Sequence, residues 1–72
     1  MRRSDLAERL AQLRPGAELE VELSVFIAIF CAQALISPEE LKDAQAFAAD
    51  NDSVLNYDLF ELYNPVFARN RS

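Results

Sequence analysis

Apolar residues recur along the first segment at Leu6, Leu10 and Leu13. Steps of four and three residues mark one face of a helix, because an α-helix turns once every 3.6 residues. Ser4 or Asp5 stands where a cap belongs, and Asp5 followed by Glu8 has the form of a capping box. Arg14-Pro15-Gly16 closes the segment with the chain's only glycine. From Glu18 to Val25 the pattern changes to alternating polar and apolar positions, the period of a half-buried strand. The same stretch also reads as a helix, with Leu19, Leu23, Phe26 and Phe30 on one side and residues 26–36 apolar almost all round. A strand needs partners, and the sequence offers neither a second alternating run nor an Asn-Gly or Asp-Gly hairpin turn. The pattern therefore favours helix over residues 17–36, with a strand pairing across a dimer as the rival.

Ser37-Pro38-Glu39-Glu40 is the strongest start signal in the chain. It supplies a capping serine, proline at the first helical position, and a glutamate placed to return a hydrogen bond to the cap. The helix is predicted to run to Ala49 and to bury Leu41, Ala44, Phe47 and Ala48. Asp50-Asn51-Asp52-Ser53 reads as a turn and cap before a fourth helix, with Leu55, Leu59 and Leu62 on one face and Phe60 and Tyr63 beside them. Asn64-Pro65 should stop that helix, Val66-Phe67 should pack back on the domain, and residues 68–72 should fray. The fold expected is all-α: one domain over residues 1–72, a small bundle of about four helices that homodimerisation would complete. The alternative is α+β, with residues 18–25 as a strand.

Composition sharpens this picture. A chain of 72 residues is near the lower limit for an independent core. Cys31 is the sole cysteine and there is no histidine, so neither an intrachain disulfide nor a common zinc site is available as a staple. An apolar fraction of 51% on so small a chain leaves surface to bury against a copy or a target. The longest apolar run, residues 23–36, is shorter than the roughly 20 residues a bilayer-spanning helix needs. Met1-Arg2-Arg3 is followed by charged residues, not the apolar core of a signal peptide. With a lone cysteine, these features favour the cytoplasm.

Charge changes it further. Four arginines (Arg2, Arg3, Arg9, Arg14) outnumber Asp5 and Glu8 at the start of the chain, and Arg69 and Arg71 close it. Between them Lys42 stands alone against Glu18, Glu20, Glu22, Glu39, Glu40, Asp43, Asp50, Asp52, Asp58 and Glu61, for a net charge of −5 overall. An acidic body repels phosphates and anionic lipid and is drawn to basic surfaces, so direct nucleic-acid binding is disfavoured.

Several chemical motifs are tested by these residues and fall short. Asp50, Asp52, Asp58 and Glu61 match positions 1, 3, 9 and 12 of a calcium-binding loop, but Val54 cannot ligate and Leu55 stands where the sharp turn needs glycine. Asp52-Ser53-Val54 resembles the Asp-Ser-Leu site of acyl carrier proteins, which implies phosphopantetheine on Ser53. That family places the serine near mid-chain, with two helices after it, and has Leu where this chain has Val54. Cys31 has no histidine to activate it and sits in an apolar run. No glycine-rich phosphate loop exists, and no carboxylate pair is marked by an apolar setting. No catalytic activity, metal or cofactor is expected.

Two binding candidates remain. One is the acidic set, Glu18, Glu20 and Glu22, then Glu39, Glu40 and Asp43, then Asp50, Asp52, Asp58 and Glu61. The other is the aromatic group near the C-terminus, of which Tyr57 and Tyr63 suit an interface because their hydroxyls tolerate partial exposure. Together they predict a protein that docks on a basic partner surface and inhibits or regulates it, by imitating the charge of a nucleic-acid backbone in front of a nucleic-acid-handling machine. Phage-encoded antagonists of restriction and CRISPR systems offer an analogy of size and charge. The alternative is a self-assembling helical module in which the acids serve solubility.

Overall fold

The computed structural model describes residues 1–33, 35–57 and 63–71. It is α+β, not an all-α bundle. Helix α1 (Arg3–Ala11) leads into strand β1 (Glu18–Glu20), helices α2 (Leu23–Phe30) and α3 (Pro38–Asp50), and strands β2 (Ser53–Asn56) and β3 (Val66–Arg69). The strands form an antiparallel sheet ordered β1-β3-β2, so the last strand lies in the centre. The all-α expectation fails because β3, the partner of β1, and β2, which pairs with β3 on its other side, both come from the C-terminal third of the chain, where the local pattern reads as a frayed tail and as helix.

The first and third helices follow their local signals. Leu6 and Leu10 are fully buried, with Leu13 packed against the core. Helix α1 begins before the proposed Ser4 cap, and Asp5 instead accepts a hydrogen bond from the Arg2 backbone N–H at 3.0 Å. At α3, Ser37 Oγ accepts from the Glu40 N–H at 3.2 Å, and the Glu40 carboxylate accepts from the Ser37 N–H at 3.2 Å. This is the reciprocal cap expected from Ser-Pro-Glu-Glu. Ala44 and Ala48 are buried, with Leu41 and Phe47 half-buried beside them. The helix ends at Asn51 and Asp52, and Asp52 takes the left-handed φ of 54° common where a helix terminates.

The stretch read as one long helix is divided. Its alternating half forms β1 as far as Glu20, with Leu19 opposite Phe67, and Val21 extends the ladder by donating to the Pro65 carbonyl at 2.9 Å. Its apolar half forms α2, which buries Phe26 and Phe30. The residue at the start of α2, Glu22, makes no side-chain cap. The cap comes from far along the chain: Asn64 Oδ1 accepts from the Leu23 N–H at 3.0 Å, while its amide donates to Glu20 at 3.1 Å. Asn64 was expected to stop a fourth helix, and it starts the second one. Asn64→Ala is expected to lower the free energy of unfolding by about 1 kcal/mol, the usual cost of a lost cap. A urea titration reads the loss as a lower midpoint at unchanged slope.

The predicted fourth helix begins instead as β2, in which Ser53 and Leu55 point inward and Val54 and Asn56 outward. The remainder of that prediction, including Leu59, Phe60 and Leu62, lies outside the described residues. Residues 66–69, expected to pack back or fray, form the central strand, with Phe67 fully buried. The β1–β3 ladder continues past β1 as Arg69 N–H donates to Ala17 at 2.8 Å and Gly16 N–H donates to Arg69 at 3.1 Å. Gly16 has φ 84°, a left-handed conformation in which a side chain is strained.

Candidate partner-binding surface

A chain of aromatic rings runs through the core and sets which residues remain outside. Phe47 on α3 meets Phe30 edge-on at 5.4 Å, Phe30 meets Phe26 at 4.9 Å, and Phe26 meets Tyr57 at 6.0 Å and Phe67 at 6.4 Å. Tyr57 then contacts Tyr63 at 5.2 Å. Of the two tyrosines proposed for an interface, Tyr57 is therefore half-buried at the end of the core stack. Tyr63, 38% exposed, is the one that reaches the surface.

The acids divide by what they already hold. Glu40 accepts from the Ser37 N–H, from Ser37 Oγ at 2.9 Å, and from the Ala32 N–H at 2.8 Å, so it ties the α2–α3 connection to the start of α3. Asp43 pairs with Arg3, whose guanidinium also lies 4.9 Å from the centre of the Phe30 ring. That one arginine joins α1, α2 and α3, combining an ion pair with a cation–π contact. Glu20 is held by Asn64, and Asp52 stands 4.0 Å from Arg69. The side chains of Glu18, Glu22, Glu39 and Asp50 are exposed and make no hydrogen bond or ion pair among the described residues. Asp58 and Glu61 lie outside those residues.

Strand alternation places two of these acids in a defined setting. Leu19, Phe67 and Leu55 lie side by side on the inner face of the sheet. The outer face therefore carries Glu18, Ala68 and Val54 in one row and Glu20, Val66 and Asn56 in the next. Val54 is 52% exposed there, and Val66 and Ala68 are only half-buried. The glutamates are thus not an isolated acidic run; they border an open apolar strip. Sequence reading missed this strip, because nothing local pairs Val54 with Ala68.

The geometry also speaks to the motifs. Val54 and Leu55, at the centre of the proposed calcium loop, are held in β2, and no group of three or more acids or cysteines is placed to hold a metal among the described residues. Ser53 is 2% exposed and its Oγ donates to the Asn51 carbonyl at 3.0 Å, so the hydroxyl is not presented for phosphopantetheine attachment. Burial pushes the Cys31 thiol up, and the Glu40 carboxylate adds to the rise, which disfavours the reactive thiolate. Among the described residues no helix is long and apolar enough to cross a membrane.

Glu40 carries a pH signature. The N–H groups of Ala32 and Ser37, then the Ser37 hydroxyl, hold its carboxyl below the ordinary glutamate range. A carboxyl whose folded value is depressed stabilises the fold above its unfolded value, and that contribution is lost as pH falls through the folded value. The urea midpoint of the wild type should therefore exceed that of Glu40→Gln at pH 6. The gap should close on acidification below about 4.3, the unperturbed glutamate value. A gap that stays constant from pH 6 to 3 would show that the charge of Glu40 does not stabilise the connection.

Comparison with protein families, with characterised proteins and with solved structures finds no match to this chain. The functional reading rests on the surface just described.

Proposed function

We propose that this chain is a small non-catalytic protein that docks on a basic surface of a partner protein and thereby inhibits or regulates it. The observation that carries this reading is the set Glu18, Glu22, Glu39 and Asp50, whose side chains are exposed and without internal partners among the described residues. In this chain α3 bears Glu39, Glu40, Asp43 and Asp50 against Lys42 alone. Such a helix is repelled by phosphates and attracted by the lysines and arginines that bind them. Grooves that hold nucleic acid are basic, so a nucleic-acid-handling complex is the favoured target.

The test is a pull-down with the tagged full chain from nuclease-treated bacterial lysate, followed by affinity measurement across a salt series. Retention at 50 mM salt, release by about 0.5 M and competition by duplex DNA are the expected results, because screening then acts within a few Å. Affinity indifferent to salt over that range would overturn the reading.

A second reading, self-association, draws on Leu35, 81% exposed in the connection between α2 and α3. It predicts a melting temperature that rises with protein concentration.

A further inference from the structure

The outer face of the sheet holds the exposed acids Glu18 and Glu20 in fixed register with exposed Val54 and half-buried Val66 and Ala68. We infer that it is the docking site, and that its occupant is a basic amphipathic helix of the partner protein. The inference rests on the function proposed above and assigns the surface that performs it.

Size points to a helix. Three strands spaced about 4.8 Å apart span roughly 10 Å between the outer two, close to the diameter of one α-helix. Spacing points to a basic one. Glu18 and Glu20 are separated by one residue on β1 and point to the same side, which puts them about 6.7 Å apart. Lysines or arginines at i and i+4 of a helix have Cβ atoms about 5–6 Å apart, so two successive cations reach two successive carboxylates. Beside the acids, Val66 and Ala68 form a low strip down the central strand, and Val54 borders it on the far side. Aliphatic residues one helical turn apart fill such a strip, as apolar helix faces fill hydrophobic grooves elsewhere. The Glu18 side chain has no internal partner among the described residues, and that of Glu20 is shared only with the amide of Asn64.

Charge excludes the obvious competitors. A second copy laid face to face would bring two Glu18–Glu20 pairs under cover with no cation to match them, and unpaired buried carboxylates are strongly disfavoured. A nucleic-acid strand meets the same two carboxylates with its phosphates. Val54 excludes a purely ionic contact as well, since it contributes apolar area that a simple polyanion would not need.

The experiment uses the full chain, isotopically labelled, titrated at low salt with a synthetic 18-residue helix-forming peptide carrying lysines at i and i+4 beside a leucine face. A control peptide has glutamate in place of each lysine. Amide shifts should concentrate at Glu18, Glu20, Val54, Val66 and Ala68, and the control peptide should not bind. Glu18→Gln with Glu20→Gln should weaken binding about tenfold, as expected for two exposed ion pairs. Val54→Arg, at an exposed position that leaves the core intact, should abolish it. Glu8→Gln, at an exposed position on α1, should leave it unchanged. Shifts confined to α3, failure of the lysine peptide to bind, or full binding by Val54→Arg would each overturn the inference. Variants of the sheet face and of α3 separate it from the broader function. A partner retained by Val54→Arg but lost with Glu39→Gln and Asp50→Asn would uphold a basic-surface binder and discard this face. Peptide binding at the sheet, with salt-indifferent partner capture, would do the reverse.

Discussion

A chain carrying Phe26→Ala is expected to be largely unfolded at 25 °C. The Phe26 side chain is fully buried and its ring meets Phe30, Tyr57 and Phe67, so it links α2 to the central strand and to the end of β2. Truncating a buried phenylalanine to alanine costs about 3–5 kcal/mol through lost transfer energy and the cavity left behind. A single core in a chain of this size supplies about 3–5 kcal/mol in total, so the loss matches the whole stability. Near-ultraviolet circular dichroism and a urea titration should show no cooperative transition. Phe26→Leu keeps most of the volume and should remain folded, with a loss of about 1–2 kcal/mol. Tyr63→Ala, at the exposed end of the same aromatic chain, should cost less than either. A cooperative transition for Phe26→Ala near the wild-type midpoint would show that the ring chain does not hold the elements together.

How much of this was legible in the sequence depends on how far each signal reaches. Helices α1 and α3 are specified locally, by Leu6 and Leu10 on one face and by the Ser37–Glu40 cap; both form, α3 with the expected cap and α1 starting ahead of the expected one. The sheet is specified non-locally. Alternation marked residues 18–25 as a possible strand, yet β2 hides its period because the buried Ser53 occupies an inward position normally taken by an apolar residue. Strand β3 shows no alternation either, since Phe67 is buried while Val66, Ala68 and Arg69 are all half-covered. Leu55 also fits a helical spacing with Leu59 and Leu62, and four residues are too few for periodicity to decide between the two. The start of α2 was invisible for a related reason: its cap, Asn64, stands 41 residues downstream. The candidate site shows the same division. Charge identified the acids, and the capping role of Glu40 could be read from its distance to Ser37. That Arg3 neutralises Asp43, and that Glu18 and Glu20 flank Val54, Val66 and Ala68, emerges only when distant segments pair.

Arg69→Met should be the most damaging substitution of a charged residue, with a loss of about 1.5–3 kcal/mol. The figure is that of a hydrogen bond to a charged group, and the geometry selects the bond over the ion pair as its source. Arg69 Nη1 donates to the Leu10 carbonyl at 2.8 Å, while Nη2 lies 4.0 Å from Asp52. The arginine side chain is 24% exposed and the aspartate 80%, so solvent screens the pair and exposed pairs of this kind contribute about 0–1 kcal/mol. Leu10 lies in the last turn of α1, where its carbonyl also accepts a 3.2 Å turn bond from the Leu13 N–H and the helix dipole favours a cation. A nine-residue helix is marginal alone and depends on such tertiary anchors. Methionine keeps the apolar stem of Arg69, and the backbone bonds to Ala17 and Gly16 are untouched, so the variant isolates the guanidinium. Asp52→Asn should fall within about 0.5 kcal/mol of wild type. The double variant should then match Arg69→Met alone, because the aspartate contributes little for the arginine to lose. Equal losses from the two single variants, with no further loss on combining them, would instead make the ion pair the anchor and the carbonyl bond incidental.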